Sequence, residues 1–401
     1  ERAMGFNFDE IVDRSAASCT YSSKWERYSG RFAEFDIDEE NSLPMWVADM
    51  DFKCIPEVTE ALHRRVEHGI FGYSNENTND VFREAAREWF SRRYGWECPA
   101  EWMLYSMGVV TAINNVIQEF TREGEGVIIQ SPVYYPFAAG PKNNYRRVVE
   151  NPLIEENGDY RMDYENLEQL ARDPNNTLMI LCSPHNPVGR VWKKLELFQV
   201  LEICYNNGVM VFCDEIHGDL IMPGQQFSTC GKFPEFYSQM ILANSPSKTF
   251  NLAGLTSALL TVPDDQNRKR LAHRIYDINR IPSTQNFGPV AGAAAYNHGD
   301  AFVDEVMKYI YGNVEFAREY LAEHLPQIKI VPPQGTYLIW FDFRGTGLQE
   351  EEIYRRVLEQ ARVIGDIGRW FGENGGGFVR FNYACPRAYV NEQLERLSTA
   401  F

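Results

Sequence analysis

Lys248 stands among small hydroxyl residues directly after an apolar run, which is an unusual place for a surface charge. Residues 240–243 predict a buried strand, and the next segment contains Ser245, Ser247 and Lys248. A desolvated lysine can attack a carbonyl group, because only the neutral amine is a nucleophile. Serine hydroxyls and backbone N–H groups at this spacing can hold a phosphate. The segment therefore predicts a Schiff-base lysine beside an anion site.

Two other polar motifs follow apolar runs in the same way. Asn186 belongs to an N-P-x-G turn after residues 178–182, and Asp214 follows residues 209–213. Alone, the first motif predicts only a turn and the second is often a helix cap. Together, each at the end of a predicted strand, they indicate one ligand site, because open α/β sheets bind ligands there. Lysine, serines and an acid predict pyridoxal phosphate (PLP).

The elements that position these motifs predict an α/β fold. Short apolar runs separated by helical stretches indicate a large domain with a mostly parallel central sheet covered by helices. The runs are 127–130, 178–182, 209–213, 241–243 and 258–262. After Pro289 the pattern changes to a helical region at 290–325 and strand candidates at 336–343 and 377–382. We expect a large domain at 50–289 and a smaller α+β domain formed by 1–49 and 290–401.

Composition excludes several classes of function. With 39 basic and 56 acidic residues the net charge is −17, which argues against nucleic acid as a partner. The eight cysteines form no C-x-x-C pair, so a reducing, cytoplasmic setting and no metal site are predicted. No run of 18 apolar residues is present, so no membrane contact is expected.

Several motifs together carry a resemblance to a known family. They are PMWVADMDF at 44–52, FGYS at 71–74, CDEIH at 213–217, the Lys248 segment and GFVRFN at 377–382. The chain resembles the fold-type I PLP enzymes, the aspartate aminotransferase-like superfamily. Within it the motifs are most similar to the MalY/PatB-type cystathionine β-lyases, or C–S lyases. The resemblance covers nearly the whole chain and implies PLP as cofactor and an amino acid as substrate.

The resemblance implies roles for the residues around the cofactor ring. Lys248 would form the Schiff base, Asp214 would keep the pyridine nitrogen protonated, and Asn186 would donate a hydrogen bond to the phenolate oxygen. Tyr134 is similar to the aromatic residue that stacks on the ring, although a core tyrosine is the alternative. His217 would bear on the ring or on Asp214, and its alternative is a structural histidine.

The resemblance also implies a phosphate site and a substrate site. The phosphate would lie against the predicted helix start at Gly108, Val109 and Val110 and beside Ser245 and Ser247. Tyr73 is similar to the tyrosine that reaches the phosphate of a neighbouring subunit, which implies a homodimer with shared active sites. An ordinary interface tyrosine is the alternative. Arg380 would clamp the substrate α-carboxylate. The other predicted substrate-binding residues are Val47, Tyr135 and Asn382, and Tyr135 could instead lie behind the site.

The reaction implied by the resemblance is β-elimination of a cysteine thioether to a thiol, pyruvate and ammonia. Lys248 would remove the Cα proton, and Tyr73, Tyr134 or Lys248 would protonate the sulfur. An aminotransferase shares the first steps and remains the alternative. Thr256 stands where many aminotransferases have an arginine eight residues after the lysine, and the lyase branch similarly lacks it. A regulatory protein on the same scaffold is a third hypothesis. The intact set of Lys248, Asp214 and Arg380 argues against a purely non-catalytic protein.

Overall fold

Apolar strands and the helices between them follow the order that the sequence predicts. The computed structural model describes residues 5–26, 30–76 and 80–401, so residues 1–4, 27–29 and 77–79 of the predicted domains lie outside it. The strands are β1 (Leu43–Pro44), β2 (Met103–Ser106), β3 (Gly126–Ile129), β4 (Arg147–Glu150), β5 (Ile154–Glu156), β6 (Asp159–Arg161), β7 (Asn176–Cys182), β8 (Met210–Asp214), β9 (Met240–Asn244), β10 (Ala258–Thr261), β11 (Lys329–Ile330), β12 (Leu338–Asp342), β13 (Val363–Ile364), β14 (Asp366–Ile367) and β15 (Phe378–Asn382). The α-helices are α1 (Pro56–Glu67), α2 (Val81–Tyr94), α3 (Val109–Phe120), α4 (Pro136–Asn143), α5 (Tyr164–Ala171), α6 (Lys194–Asn206), α7 (Pro246–Thr249), α8 (Asp265–Ala272), α9 (Gly288–His298), α10 (Asp300–His324), α11 (Glu350–Arg355) and α12 (Arg387–Ala400).

The central sheet has seven strands in the order β2-β10-β9-β8-β7-β3-β4. The five strands from β9 to β4 pair in parallel, whereas β10 runs antiparallel to both of its neighbours. Strands buried on both faces read as continuous apolar runs, and that is the pattern of β7 and β9. The predicted mostly parallel sheet is confirmed.

Alternate residues of each central strand supply two separate cores, because successive side chains point to opposite faces. On one face lie Val127, Ile180, Phe212 and Ile241, packed with α3. On the other lie Ile128, Leu181, Val211 and Leu242, packed with α6. The helices thus cover both faces of the sheet, and the loops that follow the strands meet at its carboxyl edge.

A second sheet of four antiparallel strands, β11-β12-β15-β14, forms from the C-terminal part of the chain. Strand β1 pairs in parallel with β13, which joins the N-terminal segment to this part. The union of 1–49 with 290–401 in one domain stays a prediction, with which this pairing agrees. The boundary at 289–290 stays a prediction, and α9, which spans it, packs against α2 through the stacked rings of Phe82 and Tyr296.

The helical region predicted at 290–325 is divided into α9 and α10 at Gly299. A Cβ at this position would lie 2.1 Å from the ring of Phe250, so only glycine fits against that buried ring. Among the residues described, no helix is long and apolar enough to cross a membrane, and no cluster of three or more potential metal ligands is found. All eight cysteines are free thiols.

Candidate active site

The three polar motifs identified from sequence meet at the carboxyl edge of adjacent strands. Asn186 follows β7, Asp214 ends β8, and Lys248 follows β9, and these strands are neighbours in the sheet. Together they border a cavity of about 250 Å³. Of the other predicted residues, those that also line it are Tyr134, His217, Ser247, Gly108, Val109 and Val110. Strand order therefore explains how motifs far apart in the sequence form one site.

The amine of Lys248 lies inside this cavity and donates a hydrogen bond to the Ala48 carbonyl at 2.7 Å. Burial, with repulsion from Arg380, lowers the pKa of Lys248 to about 8, against the opposing attraction of Asp49 and Asp214. A larger fraction of this amine is neutral near neutral pH than for an exposed lysine. This is the electrostatic state that a nucleophilic amine or a general base requires.

Asp214 is a buried acid that the nearby Lys248 amine attracts without forming a salt bridge. Its Oδ1 accepts a hydrogen bond from the Ile216 N–H at 3.1 Å, and no salt bridge to it forms among the described residues. Burial raises the pKa of Asp214 to about 7. A cationic group placed in the cavity against this carboxylate would relieve that cost, since each charge would stabilise the other. The site therefore fits a group with a protonated ring nitrogen.

The opposite end of the cavity fits an anion. Helix α3 begins after Gly108 with no side chain capping it, so the first N–H groups of Val109, Val110 and Thr111 are not satisfied within the helix. These groups and the helix dipole attract negative charge. Gly108 has φ +107 and open space where a Cβ would be, so a side chain there would be strained and would take up room beside the helix start. Thr111, a hydroxyl residue in the first turn, lines the cavity and was not predicted.

Ser245 and Ser247 have different positions. Ser247 lines the cavity, whereas Ser245 caps α7, accepting the Ser247 N–H at 3.1 Å and donating to the Ser257 carbonyl. Ser245 thus fixes the turn that carries Lys248. A direct phosphate contact by Ser245 stays a prediction that this hydrogen bonding does not favour.

Arg380 lies at the centre of β15 and is buried. Its Nη1 donates to the Asn186 Oδ1 at 3.0 Å, and its Nη2 donates to the Trp46 carbonyl at 3.2 Å and forms a salt bridge with Asp366. Its Nε finds no hydrogen-bond partner among the described residues. The guanidinium therefore keeps a donor that a carboxylate could accept, and the clamp itself stays a prediction. Asp366 was missed because its pairing with Arg380 depends on strand register.

Asn382 is engaged by the backbone around it. Its Nδ2 donates to the carbonyls of Val47 and Asp49, and its Oδ1 accepts from the Ala384 N–H at 2.8 Å. These bonds hold the segment that presents the Ala48 carbonyl to Lys248. The substrate contacts predicted for Asn382 and Val47 stay predictions, and the observed role of Asn382 is to position this segment.

The three remaining predicted residues are His217, Tyr135 and Tyr73. His217 lies in the cavity wall with its Nδ1 unpartnered among the described residues, and burial lowers its pKa to about 3, so the imidazole is neutral. The ring of Tyr135 lies 5.0 Å from that of Tyr134 but outside the cavity lining. Tyr73 is fully exposed, with 110% relative accessibility, and does not line the cavity of its own chain.

Known proteins match this chain over nearly its whole length. The model of the family "Aminotransferase class I and II" matches residues 43–397. The chain belongs to this family. It is 38% identical to cystathionine beta-lyase PatB of Bacillus subtilis over 98% of this chain and 99% of that protein. It is 31% identical to protein MalY of Escherichia coli over 98% of both chains.

Among solved structures, the chain is similar to PLP-containing cystalysin from Treponema denticola. The TM-score is 0.92, with 34% identity over 99% of both chains. The resemblance inferred from the motifs is thus confirmed. Because this PLP-containing structure shares the architecture over 99% of both chains, the fold-type I assignment is confirmed as well.

The pH dependence of covalent PLP uptake tests the state of Lys248 in this family member. Attack by the amine requires its neutral form, whose fraction rises with pH and levels off above the pKa of Lys248, about 8. We expect the rate of uptake by the apoprotein to follow that single deprotonation, as measured by borohydride trapping and peptide mapping. A rate that keeps rising towards the ordinary lysine value of 10.5 would contradict the lowered pKa.

Proposed function

We propose that the chain is a PLP-dependent C–S β-lyase that cleaves cystathionine or related L-cysteine thioethers to a thiol, pyruvate and ammonia. The observation that carries the proposal is the cavity, in which Lys248, the buried acid Asp214 and the open start of α3 converge. The full-length similarity to a cystathionine beta-lyase and to cystalysin supports the same reaction class.

The residues of the cavity fit PLP at each of its polar groups. Lys248 would hold it covalently, Asp214 would face its ring nitrogen, and the start of α3 would receive its phosphate. The Asn186 oxygen is occupied by Arg380, which leaves the amide NH2 as the donor for the ring oxygen. When bound, PLP supplies an electron sink for the electrons released at the substrate Cα.

The protein's own groups then bind the substrate and move its protons. Arg380 would hold the α-carboxylate, since a guanidinium fork matches a planar carboxylate. The Lys248 amine, held by Ala48, would take the Cα proton. Burial raises the pKa of Tyr134, so its hydroxyl stays protonated and can donate to the leaving sulfur. Tyr73 of the partner subunit and Lys248 are the other candidate donors.

Thr256 favours a lyase over an aminotransferase in our proposal. It lines the cavity at the position where many aminotransferases carry an arginine, and none of the described residues that line the cavity is an arginine. The α3 start and hydroxyl groups would then carry most of the phosphate binding. An aminotransferase remains the second candidate because the matched family includes that activity by name.

Incubation with L-cystathionine in the absence of any keto acid separates the two enzymes. A lyase releases pyruvate and free thiol through many turnovers, because each cycle regenerates the lysine-bound cofactor. An aminotransferase stops after one turnover until a keto acid is added. A stoichiometric burst that only a keto acid can restart would therefore refute the lyase proposal.

We further propose a homodimer with shared active sites in the cytoplasm. The exposed apolar side chains include Ile70, Phe71 and Tyr73 in one segment, and Val110, which also lines the cavity. A cluster such as that at 70–73 fits an interface better than solvent. Eight free thiols are in keeping with a reducing compartment.

Mixed dimers test the predicted sharing. If Tyr73 serves the neighbouring site, a dimer of one Lys248→Ala subunit and one Tyr73→Ala subunit contains one complete site. We expect co-expression to restore up to about half of the wild-type turnover per dimer, while each homodimer stays impaired, as measured by pyruvate release from tag-purified heterodimers. Heterodimers no more active than the Tyr73→Ala subunit's own contribution would show that Tyr73 does not act across the interface.

A further inference from the structure

Arg31 is an exposed cation held between two aromatic rings. Its guanidinium carbon lies 4.2 Å from the ring centroid of Tyr135 and 4.2 Å from that of Trp370. No salt bridge to Arg31 forms among the residues that the structure describes, although acidic residues outnumber basic ones 56 to 39 in the chain. Contact with both rings limits the movement of the side chain, and its N–H groups remain donors for an anion.

The backbone beside Arg31 is anchored. Phe32, the next residue, is fully buried, and its ring lies 5.3 Å from Trp46 and 5.1 Å from Trp370. The backbone of Arg31 is therefore held in place by the buried residue that follows it. A cation that is already placed loses little side-chain entropy when it binds an anion.

Arg31 lies on the outer side of the wall that forms the predicted substrate site. Tyr135, which it covers, adjoins the cavity-lining Tyr134 at 5.0 Å. Phe371, which follows Trp370, lies under the Arg380 guanidinium at 5.0 Å. Tyr134, Tyr135 and Phe371 thus connect the cavity and the Arg380 guanidinium to Arg31 through adjacent rings.

We propose that Arg31 binds a carboxylate at the far end of the leaving group and thereby selects thioethers whose thiol product carries that carboxylate. This inference rests on the proposed lyase function. If Arg380 binds the α-carboxylate, a second carboxylate needs a second cation, and Arg31 is a cation outside the cavity wall with no salt bridge among the described residues. Its planar fork can donate two parallel hydrogen bonds to a carboxylate. Cystathionine carries such a group on its leaving thiol, whereas short alkyl thioethers of cysteine do not.

The alternative role for Arg31 is to balance the charge of Asp366, the buried partner of Arg380. Arg31 is near enough to Asp366 to oppose the increase in the pKa of that carboxyl caused by burial. In that role Arg31 would act through Arg380 on the α-carboxylate, which all amino-acid substrates share. The two roles therefore differ in whether the effect of removing Arg31 on kcat/KM depends on the leaving group.

A matched substrate pair separates these roles: S-(3-carboxypropyl)-L-cysteine, with a terminal carboxylate, and S-butyl-L-cysteine, with a methyl group in its place. For Arg31→Gln we expect kcat/KM for the carboxypropyl substrate to fall about 10-fold, which corresponds to about 1.4 kcal/mol. The fall should reside in KM, with kcat and both constants for the butyl substrate unchanged. Arg172→Gln, which removes an exposed arginine on the distant helix α5 end, serves as control.

Equal losses for the two substrates would assign Arg31 to the Asp366 and Arg380 pair and overturn the proposal, and so would no loss for either. Binding to PLP-loaded Lys248→Ala protein, followed by the visible spectrum, gives a second readout that needs no elimination. A charge-dependent difference in dissociation constant that Arg31→Gln abolishes supports Arg31 whichever reaction the enzyme performs. Failure of the wild type to turn over either substrate without keto acid would overturn the lyase function alone.

Discussion

Lys248→Ala is expected to abolish steady turnover and the visible absorbance of the lysine-bound cofactor. The substitution removes both the covalent attachment point and the base that takes the Cα proton. Loss of the proton transfer alone would lower the rate by roughly 10²- to 10⁴-fold. Among the described residues the side chain makes one hydrogen bond, to Ala48, so its removal should leave the fold intact. Pyruvate release and the absorbance spectrum of the purified variant measure the two losses.

The matched control for this prediction is Lys142→Ala, which removes an exposed lysine from α4. It should keep the wild-type spectrum and rate. Added primary amines should partly restore turnover to Lys248→Ala, because they can supply a base in the space left by the side chain. Retention of both the cofactor spectrum and turnover by Lys248→Ala would refute the assignment of this lysine.

Three residues of the site could be predicted because they depend on strand order and little else. Asn186, Asp214 and Lys248 each follow a continuous apolar run, and such runs form buried parallel strands whose carboxyl ends share one edge. The helix start at Gly108 could also be predicted from local sequence, because a helical pattern follows this glycine. These features are local, so one sequence is enough to place them.

Other features depend on relations that no local pattern encodes. The pairing of Asp366 with Arg380 follows from the register of β14 on β15, and a shift by one residue would turn these side chains to opposite faces. Asn382 was predicted as a substrate ligand, but the backbone of the 47–49 segment takes its donors. The stacking of Arg31 joins three distant segments and left no signal in the sequence. Ser245 could serve a phosphate or a helix cap, and tertiary structure decides between them.

Asp214→Asn is expected to lower kcat/KM while raising the stability of the apoprotein. The prediction is specific because activity and stability should change in opposite directions. Removing one partner of a buried charge pair costs about 3–5 kcal/mol, which is roughly 10²- to 10⁴-fold in rate. In the apoprotein the pKa of Asp214 is raised from 3.8 to about 7, so the folded state holds a proton that the unfolded chain releases between these values. The free energy of unfolding of the wild-type apoprotein therefore falls as pH rises between these two pKa values. Asparagine does not titrate, so the variant does not lose this stability.

The measurement is urea unfolding of both apoproteins as a function of pH. Above pH 7 the variant should be the more stable, and the difference should vanish as pH approaches the unfolded-state pKa of 3.8. Glu215→Gln is the matched control, because its carboxyl is also buried with a pKa raised to about 7 but does not line the cavity. Glu215 accepts hydrogen bonds from Thr229 and Cys230, so its replacement should change stability without the spectral change in bound PLP that Asp214→Asn produces. A wild-type rate in Asp214→Asn would show that this acid does not face the cofactor nitrogen. A less stable Asp214→Asn apoprotein above pH 7 would show that attraction from Lys248 outweighs the cost of burying this carboxylate.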